Sequence, residues 1–308
     1  MTTIKTQNFG VEIELTGITR ENAAKVIADH YGTTAAYLGT YYRAYGATDT
    51  KGRTWKAMSD GSIRCVRKVN GRTVSASGDY SCEVVTPILQ YDDLDDLQEI
   101  VRKLRAHGAI ANESTGIHVH VDGANHDFKS MTRLVNFFTG RQDLFYEALQ
   151  IGERANHWCQ KTSKELLNAA KKTNSNSDME RAYYSRANGG YCGGIDHSHY
   201  CPARYRGLNL HAFFTKGTIE FRLFNGTTHA GKIKAYVQFC LAMSAWAINC
   251  DSDHLYFKGI GSYTVEQKAA LMDRMLQNRL GLKGAEFKNA RKHLCAGFEV
   301  AGANGETA

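Results

Sequence analysis

Three short segments of this chain alternate apolar and polar residues strictly, and they constrain its fold more than any other feature. In FGVEIEL (9–15), Val11, Ile13 and Leu15 point one way while Glu12 and Glu14 point the other. In TGIHVHVDG (115–123), Ile117, Val119 and Val121 oppose His118, His120 and Asp122. In TIEFRLF (218–224), Ile219, Phe221 and Leu223 oppose Glu220 and Arg222. A period of two marks a half-buried strand. A wet strand face usually carries Thr, Lys and Ser; these carry carboxylates, imidazoles and a guanidinium. Residues two apart lie on one strand face about 7 Å apart, so strands sharing a sheet would gather these groups. Gathered carboxylates repel one another unless cations neutralise them. Oxygen-rich sets with one imidazole suit magnesium or manganese. A solvated face accounts for any one of these strands, but poorly for three of the same design. Arg222 beside Glu220 has two readings, a salt bridge or a planar fork for phosphate.

Between these strands the pattern predicts a helix from about Arg20 to Tyr31 and a hairpin or loop over 37–54. A turn at Asp60-Gly61 is expected between short strands, followed by a loop over 71–80 and a strand at 82–89 ended by Pro87. DDLDDLQEIVRKLRAHG places apolar residues at 94, 97, 100, 101 and 104, with acids at its start and bases at its end. That is an amphipathic helix stopped by Gly108. A second one is predicted over 130–150. From 156 to 201 the pattern weakens to polar helices at 161–172 and 178–187 and a Gly-rich loop, which reads as an insertion. YRGLNLHAFF (205–214) and TIEFRLF then predict a strand–turn–strand hairpin. A long buried helix follows at 231–250, and helix continues to about His293. The organisation expected is one catalytic domain over 1–298 with an insertion at about 150–202 and a disordered tail at 299–308.

Composition narrows the partners. The 308 residues are 43% hydrophobic and 22% charged, as in globular proteins, and no run approaches the ~18 apolar residues of a membrane span. The N-terminus has no apolar signal region, so a cytoplasmic location is expected, with no membrane partner. The eight cysteines are scattered and are expected to be mostly free thiols. The net charge of +7 is spread without a block of like charges, which favours a solvated basic surface over a nucleic-acid footprint. Cys192, His197, His199 and Cys201 lie close enough to hold zinc, but their spacing matches no zinc module; a substrate loop with free thiols is the other account. No Ser/His/Asp or Cys/His arrangement stands out.

FGVEIEL, SDGSI, CEVVTPIL, GIHVHVD, RYRGLNL and TIEFRLFNGT follow one another across 9–227, and this ordered set resembles the amidoligase family, relatives of glutamine synthetase and glutamate–cysteine ligase. The resemblance implies an α+β fold: an antiparallel sheet forming a partial barrel of glutamine synthetase/glutamate–cysteine ligase type, backed by helices. It implies ATP-driven amide formation with Mg2+ or Mn2+. Metal ligands would then fall on Glu12, Glu14, Glu83, His118 and Glu220, and a nucleotide contact on His120. Arg222 and Arg206 would meet phosphate or substrate, and Asp60 matches the family's Asp-x-Ser element. Glu12, Glu14, Glu83, His118 and Glu220 are expected to converge on one open cavity. One departure is Thr115, where the family often has Cys; it is not a ligand position. The reaction implied joins a carboxylate to an amine, free or carried by an amino acid, peptide or protein, through an acyl phosphate. Two other functions use similar residues: a metal-dependent nuclease or phosphoesterase, which needs no ATP, and a non-catalytic nucleotide- or peptide-binding relative.

Overall fold

Strand β1 (Phe9–Leu15) buries Val11, Ile13 and Leu15, as its alternation requires. A computed structural model describes residues 1–188, 193–251 and 259–303 of the chain. It divides into two compact units, one of Asn8–Val119 with Phe224–Val237, the other of Met1–Gln7, His120–Leu223 and Gln238–Ala308.

In the first unit β1 leads into α1 (Arg20–Tyr31). The Thr19 side chain caps its start, and Gly32, at φ 67, closes its end. The strands β2 (Ala36–Tyr37), β3 (Tyr45–Thr48), β4 (Thr54–Met58), β5 (Val66–Val69), β6 (Arg72–Ser75) and β7 (Cys82–Val85) follow. Helix α2 (Leu94–Ala106) comes next, then β8 (Gly116–Asp122). The sheet order in this unit is β2-β3-β4-β7-β1-β8, not closed into a barrel. Its β1–β7, β4–β7, β3–β4 and β2–β3 pairs are all antiparallel. The α+β class with an antiparallel sheet is therefore as expected. Helix α1 packs on β3, β4 and β7, and α2 packs on α1. On α2, Leu97, Ile100, Val101 and Leu104 are all buried, each contributing about 1.5–3 kcal/mol.

The stretch after Gly71, read as a loop, instead completes a β5–β6 hairpin. Asn70 (φ 50) and Gly71 (φ 78) both take left-handed conformations, which is what a two-residue hairpin turn needs. Asn-Gly is the local sequence signal for such a turn.

The second unit is mostly helical. The helix expected over 130–150 is two, α3 (Phe128–Thr139) and α4 (Gln142–Ala148). Gly140 is a weak helix former, and Arg141 after it leaves helical geometry at φ −127, ψ 1. Short helices α5 (Arg154–His157), α6 (Lys164–Ala170) and α7 (Asn176–Tyr183) occupy the expected insertion. The strand expected over 205–214 shrinks to β9 (Leu208–Asn209), and α8 (His211–Lys216) replaces its second half. Asn209 Oδ1 accepts from the His211 backbone N–H at 2.9 Å, turning the chain out of the strand. Strand β10 (Thr218–Asn225) pairs antiparallel with β9, setting Glu220 opposite Asn209. Helices α9 (Ala230–Asn249), α10 (Val265–Asn278) and α11 (Lys288–Ala303) complete the chain. The part of the expected tail at 304–308 lies outside the described residues. Among the described residues no helix is long and apolar enough to cross a membrane.

His126 joins α3 to α9, with Nδ1 3.1 Å from Ser130 Oγ and Nε2 2.8 Å from Ser244 Oγ. Burial lowers its pKa from 6.5 to about 4, so the folded protein holds it neutral. Between those values the unfolded chain binds a proton that the folded one does not. Stability should thus fall as pH drops from about 6.5 towards about 4. Denaturant titrations of wild type and His126→Asn would show a shallower pH slope in the variant, and parallel slopes would refute the assignment.

Candidate functional site

The first unit's carboxylates are assembled by strand register. Across β1–β7, Glu14 stands opposite Glu83, Glu12 opposite Val85 and Ile13 opposite Val84. Ile13 and Val84 thus turn to the buried side while Glu12, Glu14 and Glu83 share the other face. Directly opposed like charges destabilise a sheet, so this pairing calls for a counter-charge. β8 supplies an imidazole: His118 Nδ1 lies 2.9 Å from Glu12 Oε2, and Nε2 lies 3.5 Å from Glu14 Oε1. Glu14 Oε2 also accepts from the Gly116 backbone N–H at 2.6 Å, which orients that carboxylate.

Asp60 joins them from the loop after β4. Its Oδ1 accepts from the Ser62 backbone N–H at 2.6 Å and from the Ser62 hydroxyl at 2.5 Å, so the Asp-x-Ser element is a self-bonded turn. Two donor sets result, Glu12–Glu83–His118 and Glu14–Asp60–Glu83, in each of which one ligand atom per residue lies within 4.8 Å of the others. Glu83 belongs to both. Glu14, Glu83 and His118 are buried. Carboxylate oxygens with a single imidazole nitrogen fit magnesium or manganese better than zinc.

In the second unit, β10 presents Glu220 and Arg222, both buried. The Arg222 Nη1 donates to Glu220 Oε1 at 2.5 Å, and Asn209 Nδ2 donates to Glu220 Oε2 at 2.8 Å. The salt-bridge reading of this pair is therefore present in the geometry. His120 Nδ1 lies 3.0 Å from Thr218 Oγ1, and its Nε2 4.0 Å from Glu220 Oε2. Arg206 is buried and its Nη atoms donate to Gln160 Oε1 and to the carbonyls of Lys161 and Asn188. Those partners are all neutral, and burial lowers its pKa.

Sequence reasoning missed Arg154. It is 7% exposed, and its Nε and Nη2 are buried with no hydrogen-bond partner among the described residues. Burial pushes the neighbouring Cys159 thiol up to about 11, against the opposing charges of Arg154 and Arg222. No motif marks Arg154, since it lies where the strand pattern fails. The zinc reading of the 192–201 loop loses a ligand, because Cys201 is disulfide-bonded. Cys192 lies outside the described residues. His197 pairs with Glu180 at 2.6 Å, and His199 with Arg204 at 3.2 Å. Cys65, Cys82, Cys159, Cys240, Cys250 and Cys295 are free thiols, as expected of most.

A family model described as "Putative amidoligase enzyme" matches residues 5–244, which include every residue named above as a candidate ligand or contact. No curated protein sequence matches the chain. Among solved structures, a bifunctional glutathione synthetase from Pasteurella multocida is similar at a TM-score of 0.40 and 14% identity. The match covers 98% of this chain and 49% of that one, so the chain spans about half of its length. At that score the likeness carries no argument about fold or activity.

Proposed function

The chain belongs to the amidoligase family, and from that premise we propose that it is an ATP-dependent carboxylate–amine ligase. It would form an amide or isopeptide bond through an acyl phosphate. The observation that carries the proposal is the pair of donor sets sharing Glu83, buried carboxylates opposed in register where a cation is needed. In this reading Glu12, Glu14, Glu83 and His118 hold Mg2+ or Mn2+, with Glu220 a further ligand and Asp60 an auxiliary one. Bound metal would offset negative charge on the phosphates of ATP. His120 would meet the nucleotide, and Arg222 and Arg206 the phosphates or substrate. The glutamine synthetase/glutamate–cysteine ligase type of partial barrel, and a single catalytic domain with its insertion at about 150–202, belong to the same proposal.

The chemistry asked of the protein is positioning and charge matching. A substrate carboxylate attacks the terminal phosphorus of ATP and ADP leaves. An amine then adds to the acyl carbon and phosphate leaves, with the amine proton lost. Arg222, held on a strand by Glu220, is preorganised to stabilise charge on the transferring group. No protein nucleophile is needed.

Incubation with ATP, Mg2+ and pooled carboxylates and amines should release phosphate and yield a product lighter than the sum of acid and amine by one water. Both signals should need ATP. Phosphodiester cleavage without ATP would replace this reading with the nuclease one, and nucleotide binding without turnover would leave a non-catalytic relative.

A further inference from the structure

Within the second unit a cavity of about 150 Å³ lies against Glu220, lined also by His197, His199, Arg204, His211 and Lys216. Its lining carries two cations, Arg204 and Lys216, against one carboxylate. Glu220 is its carboxylate, and that charge is already met by Arg222 at 2.5 Å. Arg204 donates from Nη1 to the His199 carbonyl at 2.6 Å, an uncharged partner. Among the described residues neither Arg204 nor Lys216 is paired with a carboxylate. The His197 imidazole is held by Glu180, and His211 Nδ1 lies 2.7 Å from the Tyr184 hydroxyl. Among the described residues, two cations not paired with a carboxylate thus flank a cavity in which His197 and His211 are held by Glu180 and Tyr184, while His199 Nε2 lies 3.2 Å from Arg204 Nη1.

Size decides what fits. At about 30 Å³ per water the cavity holds roughly five waters. That accommodates a carboxylate with a short carbon stem but not a nucleoside triphosphate. We infer that this cavity binds the carboxylate end of a small acidic substrate, with Arg204 and Lys216 as its charge partners. The inference rests on the ligase reading only in calling the ligand a substrate; the pocket itself stands on the lining. It would make α8 and the segment before β9 determinants of which acid is used.

The test is calorimetric titration of the full chain with succinate, inorganic phosphate and ATP. Wild type, Arg204→Gln and Lys216→Gln would be compared; Lys216 is exposed, so its variant should fold normally. Succinate should bind, and each substitution should weaken it by about fivefold or more, the worth of one ion pair. ATP affinity should be unchanged. Undetectable succinate binding, or equal affinity in all three proteins, overturns the inference. So does phosphate binding more tightly than succinate with the same dependence on Arg204 and Lys216. The two readings fail separately. Succinate binding without ATP-dependent ligation removes the ligase and keeps the pocket, whereas ligation without succinate binding does the reverse.

Discussion

Replacing Glu83 with Gln should lower magnesium-dependent turnover by at least ~1000-fold while leaving the metal-free protein as stable as wild type or more so. Glu83 is the one residue common to both donor sets. Losing it takes an anionic oxygen from each, and about 4 kcal/mol of charge stabilisation corresponds to three factors of ten in rate. Stability moves the other way because Glu83 stands opposite Glu14 across β1–β7. Gln keeps the shape and removes the repulsion, worth up to ~1 kcal/mol. Magnesium stabilisation gives an independent readout. A ligand at a hundred times its dissociation constant adds about 2.7 kcal/mol. Melting curves with and without MgCl2 should therefore separate for wild type and coincide for Glu83→Gln. If the variant keeps both its magnesium shift and its turnover, the carboxylates of β1 and β7 are a solvated strand face and the metal assignment is lost.

What the sequence made legible follows from how local each signal is. Strict alternation reports β1, β8 and β10 directly, because side-chain direction along a strand needs no knowledge of neighbours. The grouping of Glu12, Glu14 and Glu83 depends on register between β1 and β7, which no single segment contains. Only the family motifs, and not the geometry of one segment, point to it. The Asn70-Gly71 hairpin carries its signal in two adjacent residues. The α8 helix has no such signal, since YRGLNLHAFF alternates plausibly and is diverted by the Asn209 side chain bonding the His211 backbone. Arg154 lay beyond reach for a different reason. Its interest comes from being buried with two nitrogens unpartnered among the described residues, and burial of a polar side chain in an irregular segment has no periodic trace. The cavity beside Glu220 draws His197 and His199 to Lys216 across a stretch containing β9 and α8, so only folding brings these groups together.

Arg222→Lys should cost about a hundredfold or more in turnover and only ~1 kcal/mol in stability. Arg222 is 5% exposed and its guanidinium serves several contacts at once. Nη1 donates to Glu220 Oε1 at 2.5 Å, Nε reaches the Trp158 carbonyl at 3.4 Å, and the group lies 6.0 Å from the Tyr205 ring centroid. Lysine keeps the positive charge beside Glu220, which matters because leaving a buried carboxylate without its partner costs roughly 3–5 kcal/mol. Lysine loses the weak bond to Trp158, worth about 1 kcal/mol. It also loses the planar fork, so it cannot hold Glu220 and reach two oxygens of a phosphoryl group in fixed geometry. Removing one preorganised donor to transition-state charge typically costs ~100- to 1000-fold in kcat. Arg222→Met serves as the comparison, since it strips charge and fork together and should lose stability and turnover alike. Measured side by side, phosphate release and melting temperature should separate in the Lys variant and fall together in the Met variant. A Lys variant with wild-type turnover, or one whose turnover falls only as far as its folded fraction, would leave Arg222 a salt-bridge partner of Glu220 and remove it from the chemistry.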